Sequence, residues 1–253
     1  MNKRNQLDQF SSQGILRCAR YAFMPNKLNF CGPDKNRDLF YYSHQQEAGQ
    51  GLSLILKEFQ VLYPYLKFIA QSNQIKDPFD ERIIDAYWIG SALLENVSKS
   101  RLYYHLIDEQ QLKKKLNKKL LKKVVSKIPL GAKPHHSFHV LSVWKRTGHL
   151  DVMHTLNSMD LCRISWGKIK KVDWPNLEVE YQPLALENDR LKLGSIISQK
   201  ILAEIDKSGF IEKPRLDQWI SFHWGFACEI LNQQQVENLK KYTEESIRLT
   251  NHA

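Results

Sequence analysis

The spacing of the apolar residues changes near residue 131, and this change constrains the fold more than any other feature of the sequence. Before it, apolar residues recur every three or four positions, as on one face of a helix. After it, short segments rich in Val, Ile, Trp and Tyr are separated by turn residues, which is typical of strands. The change predicts an α+β fold: a mainly helical part over residues 1–130, then a small antiparallel sheet with C-terminal helices over residues 131–253, packed as one unit.

Turn and breaker residues predict the boundaries of the first half. A helix that begins near Gly14 is expected to end at Pro25, and the Pro, Asn, Gly and Asp residues that follow predict an ordered loop over residues 26–38. The apolar spacing over residues 47–70 fits one long helix or two helices that meet near Pro64. The next helix is expected to follow a turn and N-cap over residues 77–80.

In the second half, the pattern indicates strands and then helices. Alternating residues from His136 to Leu141 predict a strand. Further strands are expected over residues 161–168 and 177–183, and helices over residues 189–206 and 233–249.

Positive charge is concentrated in one segment. Lys and Arg outnumber Asp and Glu by 37 to 27, and eight lysines with no acidic residue lie between residues 110 and 130. Leucine, valine and isoleucine form one stripe through these lysines, which predicts an amphipathic basic helix over residues 112–128. Because no aromatic residues interleave with the lysines, a nucleic-acid partner is not expected. A module that binds an acidic partner through this helix remains an alternative.

Other features exclude common classes of protein. No apolar run approaches the ~18 residues of a membrane span, and the first residues lack the apolar core of a secretory signal, so a cytoplasmic protein is expected. The four cysteines are widely separated and do not form a zinc-ribbon pattern; they are Cys18, Cys31, Cys162 and Cys228. The GxGxxG, GxxxxGK[ST], HExxH and GxSxG motifs are also absent from the sequence.

Two histidine-rich segments suggest a metal site. In PHHSFHV, His135 and His139 share one face of a strand or of a helix, while His136 faces elsewhere on a strand. The segment SFHWGFACE contributes His223. If His223 lies near His135 and His139, three imidazoles would hold a transition metal or haem and leave one position open. The alternative is that these histidines are hydrogen-bonded structural residues.

A third segment, CARYAFMPNKLNFCGPD, carries candidate ligand-binding residues, namely Arg17, Arg20, Tyr21, Asn26 and Cys31. Arginine binds phosphate or carboxylate through paired hydrogen bonds, and a cysteine on a rigid turn is a candidate thiol or ligand. An enzyme that acts on a small anionic substrate, with a histidine as general acid or base, is therefore an alternative to the metal-binding hypothesis. The alternative is a structural loop held by turn chemistry.

Taken together, the motifs resemble a bacterial family of unknown function that is seen often in actinobacteria. The resemblance rests on ARYAFMPNKLNFCGPD, DPFDERIIDAYWIG, PHHSFHV, CRISWGKI and SFHWGFAC in this order, from about Arg17 to Leu249. Genes of such proteins lie beside nickel–iron hydrogenase structural and maturation genes. The resemblance therefore implies an accessory or maturation factor for a metalloenzyme. The lysine-rich segment is not part of the resemblance.

Overall fold

Helices form the first half of the chain in the computed structural model, which describes residues 3–45, 48–143 and 154–252. They are α1 (Lys3–Lys27), α2 (Asn36–His44), α3 (Gln50–Lys57), α4 (Leu62–Ser72), α5 (Glu81–Trp88), a 3-10 turn (Ala92–Asn96), α6 (Lys99–Tyr104), a π-helical turn (His105–Glu109), α7 (Leu112–Lys115) and α8 (Lys118–Val125). In the described ranges, no helix combines the length and apolar character that crossing a membrane requires.

The second half contains a small closed barrel between short helices and one long helix. The helical elements are α9 (His136–Phe138), a second π-helical turn (His139–Val143), α10 (Leu156–Cys162) and, after the strands, α11 (Gln233–Thr250). The strands are β1 (Ser165–Asp173), β2 (Asn176–Tyr181), β3 (Leu184–Glu187), β4 (Arg190–Leu193), β5 (Ile197–Leu202), β6 (Glu204–Ile205), β7 (Ser208–Gly209), β8 (Trp219–His223) and β9 (Phe226–Leu231).

The barrel has the strand order β1-β2-β5-β9-β8 and closes because β8 pairs with β1. Its neighbouring strands are antiparallel, except that β5 and β9 are parallel. The pairs β3–β4 and β6–β7 form two separate ribbons. Inward-facing residues such as Ile169, Val179 and Ile220 fill the barrel, while Phe226 and Cys228 of β9 join the larger core formed by the helices.

The predicted α+β class is confirmed, as are several boundaries. Two helices, α3 and α4, occupy the apolar stretch before residue 73. The Asp80 side chain caps α5 by accepting a hydrogen bond from Arg82 N. Pro25 does not end α1, which continues to Lys27.

Three predicted elements are wrong. Residues 136–143 are helical, because the His135 side chain accepts a hydrogen bond from Ser137 N and starts a helix there. Residues 112–128 do not form one helix: Leu116 is extended and Asn117 caps a new helix at Leu120 N. Residues 189–206 form strands, since Asn188 and Asp189 adopt positive φ and turn the chain from β3 into β4.

A buried ion cluster joins the helical half to the barrel. The Arg17 guanidinium of α1 donates to both carboxylate oxygens of Glu229 on β9, at 2.8 and 2.6 Å, and to Asp85 of α5 at 2.8 Å. The Tyr21 hydroxyl donates to Glu229 at 2.6 Å and lies 2.9 Å from the Ser221 hydroxyl of β8. Burial disfavours the Arg17 charge, but the Glu229 and Asp85 carboxylates hold the pKa of Arg17 above its ordinary value.

Replacement of Arg17 by Met is expected to lower the free energy of unfolding by about 3–5 kcal/mol, because Glu229 and Asp85 would lose the cation that compensates their burial. Urea unfolding of the purified variant measures this loss. Lys192→Met is the matched control, since Lys192 and Glu187 form an exposed ion pair worth less than about 1 kcal/mol. Equal losses in the two variants would contradict the structural role of the cluster.

Candidate functional site

A mainly apolar cavity lies where the helices meet the barrel. Its volume is about 50 Å³, which is room for a few water-sized groups. Among the described residues no Asp, Glu, Lys or Arg lines it, and its polar groups are mostly imidazoles and thiols. Its lining consists of Ala22, Pro25, Phe30, Cys31, Phe59, Val61, Leu62, Tyr87, Trp88, His136, His139, Val140, His154, Cys162, His223 and Trp224.

Three of these residues, which we call the His/Cys trio, form a possible metal-binding group: His136, Cys162 and His223. One ligand atom of each lies within 4.8 Å of those of the other two. The two imidazole rings are nearly perpendicular, with centroids 5.3 Å apart. Both histidines are buried and Cys162 is partly buried. Such a set of ligands could hold a borderline or soft metal ion.

Hydrogen bonds to backbone carbonyl oxygens connect the three elements that carry the trio. His136 begins α9, and its Nε2 lies 2.8 Å from the carbonyl oxygen of Cys162, the last residue of α10. His223 ends β8, and the next residue, Trp224, donates its backbone N–H to Leu161 O of α10 at 2.8 Å. The Nδ1 of His223 lies 2.7 Å from the Tyr21 carbonyl oxygen of α1.

The carbonyl partners define which ring nitrogens carry protons. A carbonyl oxygen only accepts hydrogen bonds, so His223 is protonated at Nδ1 and His136 at Nε2. The lone pairs are then on His223 Nε2 and on His136 Nδ1, the latter 3.3 Å from the Tyr87 hydroxyl. A histidine that donates its other N–H to a carbonyl is the usual arrangement of a metal ligand.

Burial keeps His136 neutral. Its pKa is lowered well below the ordinary value because it is desolvated and because His223 lies next to it. The Trp88 ring packs against both imidazoles, at centroid distances of 4.5 Å to His136 and 5.8 Å to His223. A neutral imidazole has no proton to lose at its free nitrogen before it binds a metal ion.

The other two predicted histidine ligands, His139 and His135, lie in different surroundings from each other. His139 begins the second π-helical turn and lines the same cavity, with Nδ1 3.3 Å from the Tyr65 hydroxyl. π-helical turns are frequent at functional sites. His135 does not line the cavity: it caps α9 and stacks on Tyr242, with ring centroids 5.4 Å apart. The structure thus places His136, rather than His135, beside His223.

The predicted anion-binding residues lie in different parts of the structure. Arg17 and Tyr21 belong to the buried ion cluster, and the Asn26 amide donates to Cys31 O at 2.9 Å and to Pro33 O at 2.7 Å, which fastens the loop. Cys31 lines the cavity. Arg20 is partly buried and lies outside the cavity lining.

Sequence reasoning missed Cys162 as a member of the trio. It lies 26 positions from His136, in no local motif with either histidine. The buried Arg163 beside it holds the end of α10 in place, through Asp160 at 2.9 Å and the Gln182 carbonyl at 2.5 Å. Only the fold brings this thiol to the histidines.

Comparison with known families places the chain in a group defined by sequence. A model of a family of unknown function, DUF6390, matches residues 10–253, nearly the whole chain. The chain belongs to DUF6390. No curated protein and no solved structure matches it. The family match defines the part of the chain that relatives share, residues 10–253. It does not give the chemistry of the protein, which we infer from the site.

Acid is expected to destabilise the fold through buried histidines. Burial lowers the pKa of His135 to about 3, although a hydrogen bond with the Ile89 backbone opposes the shift. Between pH 6.5 and pH 3 the unfolded chain therefore binds a proton at His135 that the folded chain does not, so stability falls as pH falls. The variant His135→Asn keeps a capping oxygen. Between pH 6 and pH 5 its free energy of unfolding should fall less steeply than that of the wild type, and the two slopes should differ by up to about 1.4 kcal/mol per pH unit.

Urea unfolding at half-unit pH steps measures both slopes. Above pH 7.5 the wild type and the variant should have parallel slopes, because His135 is neutral in both states there. Identical slopes between pH 5 and 6 would show that His135 is not buried as a neutral residue.

Proposed function

We propose that this protein binds one divalent transition-metal ion at the His/Cys trio. The observation that carries the proposal is the convergence of His136, Cys162 and His223 to within 4.8 Å, from three elements well separated in sequence. Two imidazoles and a thiolate suit zinc, nickel, cobalt or copper. Three protein ligands also leave one coordination position open, as in sites that exchange a ligand.

The groups around the trio support this proposal. The Tyr21 and Cys162 carbonyls accept the second N–H of each histidine, which orients both rings. A metal ion bound through His136 Nδ1 would replace only the long contact with the Tyr87 hydroxyl. None of the described residues that line the cavity is an Asp, Glu, Lys or Arg that would compete for the ion or repel it, and Cys162 would lose its proton on binding.

Haem is the second candidate for this cavity. The aromatic rings of Phe30, Trp88 and Trp224 lie in the same apolar lining as the imidazoles, but the cavity volume of about 50 Å³ is smaller than a porphyrin, so haem binding would require these walls to move apart. Absorption spectroscopy separates the two candidates, because bound haem gives an intense Soret band and a simple metal ion does not.

We infer an accessory or maturation role for the bound ion, serving a metalloenzyme such as a nickel–iron hydrogenase. An open coordination position suits a protein that takes up an ion and passes it to a partner. This biological setting rests on the motif resemblance, whereas the ion-binding proposal rests on the trio itself.

The two alternatives have weaker support. An enzyme for a small anionic substrate needs a cation beside a histidine, but Arg17 is neutralised by Glu229 and Asp85 and does not line the cavity. A module based on the lysine-rich segment would use two short helices, α7 and α8, instead of one continuous face.

Titration of the untagged protein with Co²⁺ is expected to give one bound ion per chain. Its spectrum should contain visible bands and a near-ultraviolet thiolate-to-cobalt band, because the trio supplies a sulfur ligand. Cys162→Ser should lose the thiolate band, and His136→Ala and His223→Ala should each weaken binding by at least about 100-fold.

Two control variants remove the same residue types outside the trio. His135→Asn and Cys18→Ala should keep the stoichiometry and the spectrum, since neither residue lines the cavity. Absence of metal uptake by the wild type would refute the proposal, whether or not haem binds. An unchanged thiolate band in Cys162→Ser would refute the assignment of the sulfur ligand.

A further inference from the structure

The side chain of Lys127 is buried, and no carboxylate of the described residues forms an ion pair with it. Its residue is only 2% exposed. Its backbone groups are used in the turn that follows α8, where N–H bonds Val124 O and the carbonyl accepts from Ala132 N. Within the described ranges, no carboxylate pairs with its ammonium group. A buried charge normally has a counter-ion, so this lysine requires an explanation.

Lys127 lines a second cavity, distinct from the one that holds the His/Cys trio. This cavity has a volume of about 200 Å³ and lies between α8 and the end of α11. Leu116, Leu120 and Val124 form an apolar wall on one side. No acidic residue among those described lines it.

Two cations and two hydroxyls also line the cavity. Lys123 lies one helical turn before Lys127 and is exposed at the surface. The hydroxyls of Ser142 and Thr250 lie 3.1 Å apart. Positive charge and aliphatic side chains therefore line the same cavity, which is what a ligand with a small anionic head and an apolar tail requires.

We propose that this cavity binds a carboxylate with an aliphatic chain, whose head pairs with Lys127 and whose tail packs on Leu116, Leu120 and Val124. The ligand would supply the counter-ion that the described residues do not provide. Lys123 adds a second positive charge to the site. The Thr250 hydroxyl already donates to Ser246 O or Leu141 O, at 2.8 and 3.1 Å, and Ser142 bonds Thr250, so the two lysines recognise the head. This site is independent of the metal proposal, because none of the trio lines it.

The protonation of Lys127 gives the site a characteristic pH dependence. Burial, with a smaller effect of the neighbouring Lys123, lowers the pKa of Lys127 to about 8. A bound carboxylate favours the charged form and raises this pKa. Binding should therefore take up protons near pH 8.5, and affinity should fall as pH rises from 7 to 9.5. The other titratable groups that face the cavity are Lys123 and His154.

Calorimetric titration of the full chain with octanoate tests the proposal. Octanoate should bind, octanamide should bind at least about tenfold more weakly, and Lys127→Met should weaken octanoate binding by at least about tenfold. The variant keeps the length and apolar stem of lysine and removes the unpaired charge, so it should fold. Lys122→Met, an exposed position on α8, is the matched control and should bind octanoate as the wild type does.

Several results would overturn the proposal. They are an absence of octanoate binding, equal octanoate affinity in the wild type and Lys127→Met, or equal affinity for octanoate and octanamide. If inorganic phosphate binds as tightly as octanoate, the aliphatic side chains do not contribute to binding. Proton uptake by the wild type, measured in two buffers of different ionisation enthalpy at pH 8.5, needs no variant, and its absence would also contradict the pairing with Lys127.

Discussion

The buried charge of Glu229 is the constraint on which the junction between helices and barrel depends. A carboxylate in this position requires a cation, and Arg17 supplies it from α1 while also holding Asp85 of α5. One turn after Arg17, Tyr21 donates to the same carboxylate, and its carbonyl fixes the ring of His223. Arg17 and Tyr21, two of the residues predicted to bind a substrate anion, thus form contacts inside the protein that hold the elements around the cavity together.

The chemistry of the trio follows from this junction. His136 and His223 are held by carbonyls, packed against Trp88 and kept away from charged side chains. In these surroundings His136 is kept neutral, and a thiol loses its proton readily only when a cation arrives. A metal ion would bind the two imidazoles and the thiolate together.

Local signals in the sequence predicted the elements that local chemistry controls. The cap at Asp80 and the apolar spacing of the helices are such signals. Tertiary contacts decided the rest: β5 pairs with β2 where a helix was expected, and an N-cap at His135 turns a predicted strand into a helix. The same cap moves His136 instead of His135 towards His223. Cys162 joins them only through the fold, so no motif could have indicated it.

The most direct test of the central claim is the position of the metal in a crystal. Crystals of the untagged protein, grown with one equivalent of Co²⁺ or Zn²⁺, should give a single strong anomalous peak within bonding distance of His136, Cys162 and His223. A peak bound by other residues would contradict the account, as would the absence of any peak at the trio when one equivalent of metal is present.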